Sequence, residues 1–388
     1  MVMIALSLTV YTGTAIVMAL LGWHVGHREQ GILKQGGAEL PFASWEILLS
    51  IAVYVLVSAF RWNTSWDYNM YHNFYVSMQS LGEYSRENFE LGFDLISQAM
   101  ARSGLHFAFY FGFWALIHIA LLYYALRHRK ILLPWIALCV FLGPYYVQWM
   151  NTIRQSVVEC LFVLMVELII RRKFWLYLLL SLVAVSLHRM SVLLIPLYFI
   201  PLIPVKRPRA WMAFAFLAVC VVLGEFPQWI KWLFDALGRF ASLVGYGHYY
   251  RLFSSNNFEY VFREWIGPAR LCPFITCLFI IWYYPAVRGM FAGDKYLPAL
   301  YRFSILHIAY INLVANTTLY IRRPGDLLRA TFLIMVCYTF QYLWRERKWL
   351  PLAAMLVLNM YYIFYEMYKA AVGSSSIIVP EVYHTFLL

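Results

Sequence analysis

Arg154 and Gln155 open one apolar stretch, His188 closes the next, and the tight basic turn Arg171, Arg172, Lys173 joins the two. Counted from the middle of that turn, Arg154 lies 18 residues back and His188 lies 16 residues on. At about 1.5 Å of rise per residue, a helical hairpin holds both at nearly one depth. A guanidinium grips phosphate through a rigid donor fork, and a neutral imidazole can take a proton from a hydroxyl near neutral pH. Ionisable groups kept at membrane depth are costly to insert, which marks them for function. The plainer alternatives are an arginine paired with a carboxylate or anchored among headgroups, and a helix-end histidine bonded to a carbonyl.

A second group sits earlier, in SWDYNMYHNFY, where Asp67, Tyr68 and Tyr71 follow an apolar stretch directly. Tyr68 and Tyr71 share a helical face, so an acid beside aromatic rings forms a sugar-binding edge or, alternatively, part of an interfacial aromatic belt. Glu83, Arg86, Glu87 and Glu90 follow at helical spacing and read as a solvated, ion-paired face without chemistry.

The elements that position these residues follow from composition. Of 388 residues, 63% are hydrophobic and 13% charged, and the mean hydropathy is +0.64, far outside the range of soluble domains. Long apolar runs, not ten-residue alternating strands, fill the chain, so the expected fold is an all-α polytopic membrane protein of a single integral domain, residues 1–388. About 12 transmembrane helices are expected, each near 20 residues: roughly 2–22, 45–60, 105–126, 131–148, 154–170, 174–188, 190–204, 210–224, 268–284, 299–320, 327–343 and 349–368. The first lacks the basic leader and cleavage site of a signal peptide. All six cysteines fall in apolar stretches without metal-ligand spacing, so neither disulfides nor zinc are expected.

Short basic connectors at 127–130, 171–173, 206–209, 285–298 and 345–348 face the cytoplasm by the positive-inside rule. The segments between them then face outward. Two of these, 61–104 and 225–267, are long and carry apolar residues at helical intervals, which predicts amphipathic helices along the membrane surface, able to cover an outward cavity. On this topology lysine divides 6 inside to 2 outside, whereas arginine divides 11 to 12. The outward excess of arginine, including Arg154, Arg189, Arg251, Arg322 and Arg323, suits a diphosphate ligand.

There is no phosphate-binding GxxxxGK[ST] loop, no GxGxxG after a strand, no GxSxG and no HExxH. A donor substrate must then arrive already activated, through the membrane, and no cofactor, metal or nucleic acid is expected.

The order of WDYNMY at 66–71, the Arg-Gln pair at 154–155 and LHRMSVLLIPLY at 187–198 resembles the EpsG family of Wzy-type polysaccharide polymerases, well over roughly 60–200 and elsewhere by topology. Asp67, Tyr68, Arg154, Gln155, His188, Pro196 and Tyr198 match its pattern. Two departures are Arg189 and Met190 between His188 and Ser191, and Glu159 where a small or apolar residue is expected; Glu159 could pair with Arg154 or His188. The resemblance implies transfer of a glycan chain from undecaprenyl diphosphate to a hydroxyl of an incoming lipid-linked repeat unit, at the outer face of a bacterial inner membrane. It also implies an architecture similar to class C glycosyltransferases, and flippase and chain-length regulator proteins as partners. Arg154, His188 and Asp67 would be catalytic, with Gln155, Arg322, Arg323, Tyr68, Tyr71, Arg189 and Arg251 binding substrate. An O-antigen ligase, another lipid-phosphosugar glycosyltransferase, a glycan-modifying acyltransferase and a flippase or transporter remain alternatives.

Overall fold

In a computed structural model, residues 2–81, 89–203, 210–243, 267–316, 319–372 and 382–385 are described. Among them the chain is helical and contains no strand beyond one isolated bridge, Arg61 to Thr385. In chain order the helices that matter are α1 (Val2–Lys34), α2 (Trp45–Ala59), α3 (Tyr68–Leu81), α4 (Leu91–Arg102), α5 (Phe107–Ala125), α6 (Leu133–Leu142), α7 (Tyr145–Asn151), α8 (Ile153–Ile170) and α9 (Phe174–Leu187). A 3-10 turn (Arg189–Leu193) leads into the short α10 (Leu194–Leu197). Then follow α11 (Ala210–Glu225), α12 (Lys231–Leu243), α13 (Pro268–Met290), α14 (Leu297–Leu313), α15 (Leu319–Asp326), α16 (Arg329–Arg345) and α17 (Trp349–Val372).

By length and composition four of these can cross a membrane, α1, α5, α13 and α17, and a fifth crossing results if the bent pair Lys130–Leu142 and Tyr145–Asn151 is one span. The expected span at 131–148 is thus broken, with a 65° bend. Gly143 and Pro144 cause it: proline cannot donate to the preceding turn, and a Cβ at Gly143 would lie 2.8 Å from the Asn359 carbonyl. The stretch expected to span 190–204 is not one helix either, since Pro196 and Pro201 divide it into short turns. Similarly, 299–320 parts after Leu313 into α14 and α15. The first helix runs on to Lys34. At about 1.5 Å per residue its length well exceeds the hydrocarbon thickness, so it tilts or projects.

The expected helices in the two long connectors are present as α3 and α4, and as α12. The bundle also sorts its connectors by end. At one end the basic turns close ion pairs: Arg129 with Asp294, Lys130 with Glu29, Arg127 and Arg171 with Glu167. At the other, the C-terminal residues fold back on the start of the first long connector and on α1. Trp62 N–H donates to His384 O (2.8 Å), and Tyr383 N–H donates to Ser7 Oγ (2.8 Å). The basic turns named here thus gather at one end of the bundle, and residues 61–64 and 382–385 at the other.

Candidate functional site

Three breaks in regular helix build the site. The chain bends at Gly143–Pro144, breaks again at Thr152 (φ −116°, ψ 57°), and turns extended at His188 (φ −156°, ψ 110°). Irregular backbone of this kind survives within a bundle only where protein groups or a cavity satisfy it. Here it does so locally: the Met150 carbonyl accepts from Arg61 Nη1 (3.1 Å) and Ser65 Oγ (3.3 Å), and Asn151 Oδ1 accepts from Asp67 N–H (2.8 Å).

Arg154 and His188 do meet, on a residue to which sequence reasoning assigned no chemistry. Glu90 is buried, not solvated. Its Oε2 forms a very short ion pair with Arg154 Nη1, and its Oε1 accepts from the Arg189 backbone N–H (3.1 Å) and lies 3.7 Å from His188 Nδ1. The last distance is that of an ion pair, beyond a hydrogen bond. Glu90 is the N-cap of α4, yet its side chain does not cap that helix. Its position depends on Gly92, where a Cβ would lie 2.9 Å from the Ser186 carbonyl; without one, the start of α4 closes onto the end of α9. Burial alone would raise the Glu90 carboxyl, but His188 and Arg154 beside it hold it down, to about 2.

Arg154 is therefore not a bare cation awaiting phosphate. Its Nε donates to Tyr71 Oη (3.3 Å), and its guanidinium carbon sits 4.8 Å from the Phe89 ring centre and 5.5 Å from that of Phe93. Nη2 makes no hydrogen bond among the described residues, so one arm of the fork remains for a ligand. His188 is 7% exposed, and neither ring nitrogen has a hydrogen-bond partner among the described residues. Asp67 is half-buried; burial raises its carboxyl above the ordinary value, opposed by Arg323 and Arg154. Arg323, on α15, acts electrostatically on His188 too, which brings a fifth chain segment to the site.

Several expected contributors stand elsewhere. Gln155 points away from Arg154, as adjacent helical residues must, and donates to Glu159 (3.2 Å). Glu159 pairs with neither Arg154 nor His188: it accepts from Trp149 Nε1 (2.9 Å) and lies 3.9 Å from Arg329. Tyr68 and Tyr71 do not present ring faces to sugar. Both are buried, Tyr68 stacked on Phe111 (4.8 Å, 21°) and Tyr71 on Phe89 (6.1 Å). The aromatic edge exposed beside Asp67 is Trp66, 70% accessible. Arg322 donates to the Ala315 carbonyl, and Arg189 contributes its backbone N–H to Glu90. Arg251, with Glu83, Arg86 and Glu87, lies outside the described residues.

Sequence spacing missed Glu90 because its i, i+3, i+4 pattern with Glu83, Arg86 and Glu87 looks like an exposed face. One signal was available: the glycine two residues on, at 92, inside an otherwise regular helical pattern. No curated protein and no solved structure matches the chain. A sequence model of the EpsG family matches residues 45–380, which takes in every segment of this site. The chain belongs to the EpsG family, whose members are Wzy-like polymerases, and it is a multi-pass membrane member of it.

Proposed function

We propose that this protein polymerises lipid-diphosphate-linked oligosaccharide repeat units for a capsule or exopolysaccharide, at the outer face of a bacterial cytoplasmic membrane. One observation supports this above the rest: an arginine with an open Nη2 and a buried histidine whose ring nitrogens make no hydrogen bond among the described residues meet on Glu90, with the Asp67 carboxylate within electrostatic reach of Arg154 and Arg323.

The acceptor hydroxyl oxygen attacks the anomeric carbon of the donor chain, the bond from that carbon to the diphosphate oxygen breaks, and the electron pair leaves with undecaprenyl diphosphate. Arg154 Nη2 and Arg323 stabilise the charge that develops on the departing diphosphate. The hydroxyl proton passes to His188 or Asp67. Glu90 favours the imidazolium formed if His188 is the base, because its carboxylate faces Nδ1. Asp67, raised by burial, is the more basic for it. This division of labour resembles that expected of lipid-sugar-using glycosyltransferases, of which a ligase is the nearest alternative.

The test is a deletion strain with its lipid-linked glycans resolved by size. Single repeat units should accumulate and long chains vanish. Long chains retained on the lipid would indicate a ligase, and complete loss of outward glycan a flippase. Complementation with Arg154→Ala and His188→Ala should fail to restore long chains; normal chain length with both variants, at wild-type protein levels, refutes the site.

A further inference from the structure

A second cleft, whose lining includes none of Asp67, Glu90, Arg154 and His188, opens beside the end of α15. Its volume is about 140 Å³. That is below the roughly 300–1,000 Å³ of pockets that hold drug-sized molecules, so it suits one ring and not an oligosaccharide. Its walls come from α7, α13, α14, α16 and α17, with Asp326 at the end of α15. The last residue of α15 thus lines this cleft while Arg323, one turn earlier, acts on Asp67 and His188.

The cleft's chemistry favours a neutral polyhydroxyl ligand over an anion. It has two arginines, but both are already paired: Arg329 with Asp326 (2.7 Å) and, more distantly, Glu159 (3.9 Å), Arg270 with Glu225 (2.7 Å). Each guanidinium thus already has a carboxylate partner, which leaves it less available to a phosphate. What does remain is a set of acceptors. His307 Nδ1 lies 2.8 Å from the Gly325 carbonyl, which can only accept, so Nδ1 carries the proton and Nε2 keeps its lone pair. That Nε2 has no hydrogen-bond partner among the described residues, although His307 is 3% exposed and lines the cleft. Asp326 places Oδ1 on Arg329 and leaves Oδ2 without a bond among the described residues. Tyr145, Phe332 and Tyr361 add ring surface. Convergent acceptors with aromatic walls fit a pyranose, whose hydroxyls donate while its C–H faces pack on rings.

We propose that this cleft is a sugar subsite that holds one pyranose residue, with His307 Nε2 and Asp326 Oδ2 accepting from its hydroxyls. Which sugar occupies it in the cell, one residue of a repeat unit, rests on the polymerase reading; the capacity to bind a pyranose does not.

The test uses the full chain in lipid nanodiscs free of glycoside detergent. The probes are methyl glucopyranoside, methyl galactopyranoside and methyl 2-acetamido-2-deoxyglucopyranoside, observed by saturation-transfer NMR. At least one should receive transfer from the wild type and from Arg154→Ala, and lose it in His307→Phe and in Ile311→Trp, which fills the cleft. Thermal melting establishes that each variant is folded. Should both cleft variants unfold, Leu358→Cys reads the same space: the glycoside that receives transfer should slow its alkylation. Absence of transfer from the wild type to all three probes, undiminished transfer in folded cleft variants, or unprotected alkylation overturns the subsite. Normal glycan length in the deletion strain overturns the polymerase reading and leaves the NMR result standing.

Discussion

At the scale of single residues, Glu90 is the side chain on which the site turns. It is 6% exposed and bonds to Arg154 and to the Arg189 backbone. Removing one partner of a buried pair leaves the other charge uncompensated, at about 3–5 kcal/mol. Glu90→Gln should therefore lower stability by about that amount, measured by thermal melting. Coupling in a double-mutant cycle with Arg154→Met should reach about 2 kcal/mol, since an uncharged side chain at position 154 needs no counter-charge. Glu90 also sets a pH dependence. Its folded carboxyl, at about 2, lies below its ordinary value of 4.5, so its stabilisation is complete above about pH 4.5 and is lost as the pH falls toward about 2. Melting curves across that window should flatten in Glu90→Gln. Asp67 is shifted the other way, upward. If it takes the proton, polymerisation should fall on the acid side of its raised titration, and that acid limb should move or disappear in Asp67→Asn.

At the scale of elements, Gly92 decides whether α4 can carry Glu90 to the hairpin of α8 and α9. Gly92→Ala places a methyl group 2.9 Å from the Ser186 carbonyl, a backbone atom with little freedom to yield. The start of α4 must move outward, at about 1–3 kcal/mol of overpacking. Chain length in complemented cells should shorten by more than the loss of stability explains, because Arg154 then loses its partner; unchanged length with a lowered melting temperature would separate packing from function. The bent pair α6 and α7 has a related role. Its 65° bend delivers Asn151 to Asp67 and Gln148 to Arg329 (2.6 Å), one residue toward each of the two polar regions.

At the scale of the whole molecule, connectors of opposite character collect at opposite ends, and the site belongs to the end shared by Ser7, Trp62 and the C-terminal residues. A membrane-impermeant thiol reagent should label Ser103→Cys in intact cells and leave Arg172→Cys unlabelled until the membrane is opened. Both positions are exposed, and the six native cysteines are buried or half-buried, so background labelling should be low. Labelling in the reverse order would put the site at the cytoplasmic face and remove the lipid-linked acceptor reading with it.

Composition and charge asymmetry along the sequence sufficed for a helical membrane protein, for two ends of differing character, and for the pairing of Arg154 with His188 by depth, because span length and helical rise are local quantities. The family pattern lay in the same short motifs and is matched over most of the chain. What the sequence could not determine was which side chains face one another across elements. Tyr68 and Tyr71 share a helical face, as spacing said, but tertiary packing turned that face inward onto Phe111 and Phe89. Glu159 falls one helical turn from Gln155, and only the approach of α16 gave it Arg329 in place of Arg154. Glu90 looked solvated until α4 docked on α9. Twelve spans were expected, and four or five helices are long and apolar enough to cross; Gly143–Pro144, Pro196 and Pro201 break two of the expected stretches, and others, such as Trp45–Ala59 and Phe174–Leu187, form shorter helices whose ends hydropathy does not locate. Local periodicity fixes which residues a helix presents; the partner that meets them is set by long-range packing, and so the carboxylate at the centre of the site became visible only in three dimensions.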